Sequence, residues 1–276
     1  MPERPLILFP YQERADRNNQ TPYFAKFKKP SASKQFTRLT PAFNSLRAAF
    51  ENKRIQLQGT TAGLDPEYAL VLEVVGSVEK FYNAIKNVDG IEWIFDEDLL
   101  DITQDEDFYT ENGESLNGRI YCIMSNQTAI NQLLSMWRRF SKGEENVFPR
   151  GTTPLRDVFC LLKSIRLWGP EDRIYETHAV QYWTESLELD GDRDVPFEIE
   201  LFYRKNENKR AEIVTRLSGI VESMQGHIIN ECLIPEIAYH ALKVSLPRNQ
   251  IQNLVSKYDE IEQLALENIM LKLKKE

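Results

Sequence analysis

The stretch Pro196-Phe197-Glu198-Ile199-Glu200-Leu201-Phe202-Tyr203 alternates apolar and acidic residues. A period of two is the mark of a strand buried on one face. Asn206–Gln225 follows, and it sets Ile213, Val214, Leu217, Ile220, Val221 and Met224 three and four residues apart. That spacing predicts an amphipathic helix, with Gly226 at its C-cap. His227–Ile234 reads as a strand, Pro235 as a turn, and Ala238–Leu246 as a second strand. A short helix carrying Ile251, Leu254, Val255 and Tyr258 and a last apolar run, Ile261–Leu273, complete the pattern. Strand, helix, strand, strand, helix, strand is the split βαβ or ferredoxin-like order. Right-handed crossovers then give one four-stranded sheet with both helices on one face.

The same order is legible upstream. Tyr68–Val75 predicts a strand, and Ser77 is placed to cap a helix through Val88 whose inner face is Val78, Phe81, Tyr82 and Ile85. Ile91–Phe95 predicts a strand, Asp96–Asn117 an acidic loop, Gly118–Met124 a strand, and Asn126–Phe140 a helix with Ile130, Leu133, Leu134 and Trp137 inward. The closing strand is left between Ser164–Leu167 and the N-terminal arm. The expected class is therefore α+β, two ferredoxin-like units joined by a helical connector. Residues 1–66 form an arm and a helix, 67–147 the first unit, 148–195 the connector and 196–276 the second unit. In the arm, Leu6–Phe9 reads as a short strand. Pro41–Leu57 reads as a helix capped by Thr40, with Phe43, Leu46, Ala49 and Phe50 on one face. The connector carries helices at Pro154–Leu162 and Ile174–Leu187.

The net charge of −8 conceals an asymmetry. Residues 1–54 carry eleven lysines and arginines against four acids, whereas residues 65–116 carry fifteen acids against Lys80 and Lys86. A basic arm can bind nucleic acid. Here its aromatics, Phe9, Tyr11, Tyr23, Phe24 and Phe27, favour anchoring on the acidic half of its own chain, so a nucleic-acid partner is not expected. Cys122, Cys160 and Cys232 are widely spaced among apolar residues and read as reduced core thiols. No apolar run reaches the roughly 20 residues of a membrane-spanning helix. With no signal peptide in view, the expectation is a cytoplasmic protein with no membrane partner.

Catalytic motifs are absent from the sequence. His178, His227 and His240 stand in no nucleophile or metal motif, and Gly-x-Ser-x-Gly does not occur. Gly59-Thr60-Thr61-Ala62-Gly63 lacks the Lys-Ser/Thr ending of a phosphate loop. The carboxylates of Asp96–Asp107 lack the glycine and terminal glutamate of a calcium loop. Catalytic residues, cofactor and metal are accordingly all set to none.

Several stretches carry a resemblance to the N-terminal region of large bacterial subtilisin-like serine peptidases. They are Leu8–Arg17, Phe148-Pro149-Arg150-Gly151, Asp157-Val158-Phe159, Trp168-Gly169-Pro170-Glu171-Asp172-Arg173, Pro196–Leu201 and Ile234–His240. In that family the similar region precedes the protease domain, and its Asp-His-Ser motifs are missing from this sequence. The chain is then either the N-terminal part of a longer enzyme or a stand-alone version. The resemblance implies that the second unit is similar to a subtilisin propeptide, an inhibitor or chaperone of a protease domain in cis or in trans. It also implies a tail, Ile269, Met270, Leu271, Lys272 and Leu273, lying along the protease cleft as an added strand, although Ile261–Met270 reads equally as the sheet's own fourth strand. Family members are often encoded beside an AAA ATPase, and some such pairs are thought to act in anti-phage defence. An adaptor that recruits the ATPase or a phage trigger is the second expectation.

Overall fold

The computed structural model describes residues 26–57, 67–78, 80–169, 172, 178–188, 194–256 and 270–274. It is an α+β structure with two antiparallel four-stranded sheets. The first contains β1 (Glu67–Val75), β2 (Ile91–Ile102), β3 (Leu116–Asn126) and β4 (Leu162–Leu167), in the order β2-β3-β1-β4. The second contains β5 (Val195–Leu201), β6 (His227–Ile234), β7 (Tyr239–Leu246) and β8 (Met270–Lys274), in the order β6-β7-β5-β8. Each sheet thus repeats one relative order. The first unit places α2 (Phe81–Ile85), α3 (Gln127–Ser141) and α4 (Pro154–Leu161) between its strands, and the second places α6 (Glu207–Ser223) and α7 (Arg248–Ser256). Helix α1 (Ala32–Leu57) precedes the first sheet and α5 (Ala179–Glu188) precedes the second. The first sheet's closing strand is β4, inside the stretch read as connector.

Helix α1 begins well before Pro41, which lies inside it. Proline removes one helical hydrogen bond and disfavours continuation. Burial outweighs that cost here: Gln35, Leu39, Phe43, Leu46 and Phe50 form one buried stripe running straight past the proline. Gln35 Nε2 also donates to the Phe159 and Leu162 carbonyls, and Arg38 Nη1 donates to the Lys163 carbonyl at 2.7 Å, fixing the first turns of α1 to the α4–β4 junction. Thr40 therefore sits within the helix, its hydroxyl donating to the Phe36 carbonyl, and caps nothing.

The expected helix from Ser77 to Val88 shrinks to Phe81–Ile85. Lys80 adopts a left-handed φ of 66°, and the Val78 N–H is taken by the Tyr121 hydroxyl at 3.2 Å, so Ser77 has no helix to cap. Tyr82 faces outward. Strand β2 is longer than expected, because the first part of the acidic loop is strand. Asp98 lies opposite Arg119 in register, and the Arg119 guanidinium donates to Asp96 and Asp98 at 2.8 and 2.6 Å. Cross-strand pairing of opposite charges supports a sheet that carboxylates alone would oppose. The rest of the acidic stretch folds around Phe108, which is fully buried with Val75, Ile102 and Leu116. Asp105 Oδ1 accepts from the Asp107 and Phe108 N–H groups, an Asx turn. The described part of the basic arm contacts this same loop: Lys34 and Arg38 pair with Asp107, and Lys28 with Glu111.

Asn126 caps α3 by accepting from the Ala129 N–H, and Asn206 caps α6 by accepting from Asn208 and Lys209. At the C-terminus of α6 the left-handed residue is Gln225 (φ 60°), not Gly226. The Gln225 N–H donates to Glu222 and the Gly226 N–H to Val221, the two bonds of a Schellman motif. Gly226 is required by proximity instead: a Cβ there would lie 2.6 Å from the Ser245 carbonyl oxygen. Leu6–Phe9, Ile174, Leu189 and the run 261–269 lie outside the described residues.

Two glycines test this packing with opposite signs. A Cβ on Gly118 would stand 2.0 Å from the Val74 carbonyl oxygen, whereas one on Gly219, inside α6, meets nothing within 4 Å. Gly118→Ala is expected to destabilise the fold by about 1–3 kcal/mol. Gly219→Ala is expected to stabilise it by about 0.5–1 kcal/mol. Urea denaturation of both variants checks the pair.

Candidate protein-docking site

Placement of the second sheet begins with the first. Strand β1 is buried on both faces. Leu70, Leu72 and Val74 join the helix-side core with Leu39, Phe43, Phe81, Ile130, Trp137 and Phe159. Ala69 and Val71, with Cys122 and Met124, face the other way, and Trp168 and Phe202 cover them. Phe202 is fully buried and immediately follows β5, so the second unit inserts a side chain against the face of the first sheet opposite its helices. Trp168 is held above that face by its own turn: Asp172 accepts from Arg166 at 2.5 and 2.8 Å and from the Gly169 N–H at 2.8 Å.

Two residues beyond Phe202, Arg204 is 3% exposed and lies between two carboxylates of the first sheet. Its Nε donates to Glu92 Oε2 at 2.8 Å and its Nη1 to Glu67 Oε2 at 3.0 Å. Lys209 Nζ reaches the other Glu67 oxygen at 2.8 Å, and the Lys205 N–H donates to Glu92 Oε1 at 3.1 Å. Burial alone would push the Glu67 carboxyl up, but its hydrogen bonds and charge contacts with Arg204 and Lys209 outweigh this and hold it below its ordinary value. Burial likewise works against the Arg204 cation, and its bonds to Glu67 and Glu92 more than restore it.

The second unit carries its core on one face. Phe197, Ile199, Leu242 and Val244 meet Trp183 of α5, Leu217 and Val221 of α6 and Ile251 of α7. The alternate residues of the same strands point away from that core. Glu198 of β5 accepts a 2.7 Å hydrogen bond from the Tyr239 hydroxyl of β7 across this outer face. Desolvation, then the Glu198 and Glu200 charges, raise the tyrosine pKa and keep it a neutral donor. The two sheet edges differ. Strand β6 pairs with β7 on one side, and Ile229, Leu233, Ile234 and Ile237 beside it are 39–69% exposed. At the opposite edge, β8 pairs with β5 in the register Glu200↔Lys272 and Ile199↔Leu273. Met270, Leu271, Lys272 and Leu273 of the expected cleft-binding tail thus form the sheet's fourth strand, and Ile269 falls outside the described residues.

The three histidines are not brought together. His240 is buried on β7 with its Nε2 2.9 Å from Glu231 Oε1, His227 opens β6, and His178 precedes α5. Among the described residues no group of three histidine, cysteine, aspartate or glutamate side chains could hold a metal ion. Cys122 is a core thiol whose pKa burial pushes up, and Cys160 is half-buried. Cys232 departs from expectation: it lies exposed on the edge strand β6, where its apolar neighbours Leu233 and Ile234 are exposed as well. No helix among the described residues is long and apolar enough to cross a membrane.

No family model and no curated protein matches the chain. Among solved structures, an unknown protein from Galdieria sulphuraria aligns at 13% identity over 76% of this chain and 99% of its own, with a TM-score of 0.20. That score is too low to bear on fold or function.

The joint makes a defined pH and mutation test. Replacing Arg204 by Met leaves Glu67 and Glu92 without their guanidinium, and removing one partner of a buried ion pair costs about 3–5 kcal/mol. Because Glu67 is depressed in the folded state, its contribution is fully present at neutral pH. It is lost as pH falls below the ordinary 4.5 and through the lower folded value. Stability measured against pH should decline in that window for the natural chain and more shallowly for Glu67→Gln.

Proposed function

We propose that this chain is a non-catalytic binding region, the propeptide-like N-terminal part of a subtilisin-like serine protease, which inhibits, chaperones or regulates the protease domain. In this reading both units are ferredoxin-like. The observation that supports it is the second unit's layout: strand order β6-β7-β5-β8, a core on one face, and Glu198 and Tyr239 on the other. A sheet of this kind can rest its outer face on a globular partner. Strand β8 lies at an edge, paired only with β5 among the described residues, so its other side can meet an extended strand of the protease cleft. Met270, Leu271, Lys272 and Leu273 would then act through main-chain pairing beside that cleft. The stretches that carry the family resemblance serve the fold: Phe148 and Phe159 pack together, Trp168 and Asp172 build the joint, and Pro196–Leu201 forms β5.

A second reading, an adaptor that recruits an AAA ATPase or a phage trigger, is favoured by the exposed apolar edge at β6.

The intact mass of the native product establishes whether a protease domain follows Glu276, and the full chain is then titrated against a subtilisin-type endopeptidase. The protease reading predicts inhibition in the nanomolar class, about −12 kcal/mol. The double variant Glu198→Lys with Glu200→Lys should weaken it at least tenfold. A protease domain that folds and works equally well without the chain contradicts the reading.

A further inference from the structure

At the C-terminal end of β6 the two units enclose an open trough of about 530 Å³, lined by Tyr82, Trp93, Tyr203, Lys205, Pro235 and Ala238. Its walls are aromatic. The Tyr82 and Trp93 rings meet at 83° with centroids 5.3 Å apart, a right-angled corner, and Arg210 supports Tyr203 at 5.5 Å from its ring centroid. Two acids also line it, Glu92 and Asp96, but both are committed. Glu92 accepts from Arg204 and from the Lys205 N–H, and Asp96 accepts from Arg119. The cations are arranged differently: Lys86 Nζ stands 3.9 Å from the Tyr82 ring centroid, and Lys205 lines the trough. Both ammonium groups reach the Tyr82 phenol, which they hold below its ordinary pKa. An entering ligand therefore meets aromatic walls and a positive rim.

Strand β6 leads directly into this trough, since Pro235 and Ala238 belong to the turn that ends it. Its outer backbone edge has no partner strand among the described residues, and Ile234 and Ile237 lie exposed next to the mouth. The register shift between Ile228 and Asn230 kinks the other end. Bulges of this kind blunt edge pairing, which leaves Asn230–Ile234 as the regular part.

We propose that β6 and the trough form a docking site for an extended peptide segment of a partner protein, one bearing an aromatic or branched aliphatic residue followed by a carboxylate. The segment adds to β6 as a fifth strand, seats its apolar side chain between Trp93 and Tyr203, and presents its carboxylate to Lys205 and Lys86. Charge complementarity selects this occupant, because a basic segment would meet the lysines while the two acids are already paired. The inference does not rest on the protease reading, since β6 and β8 are opposite edges of the second sheet.

A phage-displayed library of random dodecapeptides selected on the full chain tests it, followed by hydrogen exchange with the best peptide. The expected result is enrichment of peptides with an aromatic or aliphatic residue followed within two positions by Asp or Glu. Added protection should fall on residues 230–238, and affinity should drop at least tenfold in Lys205→Glu. The surface variant Ile234→Lys should lose the protection in β6 while keeping the natural melting temperature. No enrichment, enrichment of basic peptides, or binding unchanged in both variants overturns the proposal. So does a dimer in light scattering with residues 230–234 already protected in the chain alone, which would assign the edge to a second copy.

Discussion

The arrangement depends on a three-residue insertion: Phe202 into the apolar outer face of the first sheet, and Arg204 between Glu67 and Glu92. These two contacts differ in kind. The Phe202 ring excludes water from Ala69, Val71, Cys122 and Met124, a non-directional gain that scales with buried apolar area. The Arg204 guanidinium gives little net stability by itself, because desolvating a charge offsets much of its attraction to carboxylates. Its planar donors instead set one orientation of the second unit, since Nε and Nη1 must find Glu92 and Glu67 together.

The two sheets share a strand order but divide the surface unequally. The first is covered on both faces, by α1 to α4 on one and by Trp168 and Phe202 on the other. Among the described residues, the second has its apolar core on one face. The first sheet thus has apolar partners on both faces, whereas the second carries Glu198 and Tyr239 on its outer face. This division accounts for the acidic stretch as well. Asp96, Asp98, Asp105 and Asp107 are engaged by Arg119, Lys163, Lys34 and Arg38 of the same chain, so much of the charge asymmetry between the arm and the first unit is settled within the fold.

The periodic segments were legible in the sequence. The alternation at Pro196–Leu201 and the spacing of Ile213, Leu217 and Val221 correspond to β5 and α6 nearly residue for residue, and Asn126 caps the helix it precedes. The departures occur where a distant contact overrides a local rule. Pro41 marks a helix start unless a buried stripe continues past it, and only the packing of Gln35 and Leu39 shows that it does. Asp96–Ile102 looks like a loop until Arg119 is placed opposite Asp98. The joint was hidden for the same reason. Arg204 carries no local signal, and its partners are 112 and 137 residues away in sequence. The trough was equally out of reach, being built from residues of both units that no motif connects.

Cooperativity between the units tests the account most directly. Equilibrium unfolding of the natural chain, followed by tryptophan fluorescence and by far-ultraviolet circular dichroism, reports on both sheets, because Trp93, Trp137 and Trp168 lie in or against the first and Trp183 packs on the second. If Phe202 and Arg204 bind the sheets into one body, the two signals fall together in a single transition, with the calorimetric enthalpy equal to the van't Hoff value. Two separated transitions in the natural chain would contradict the account and leave the units as independent modules on a loose connection.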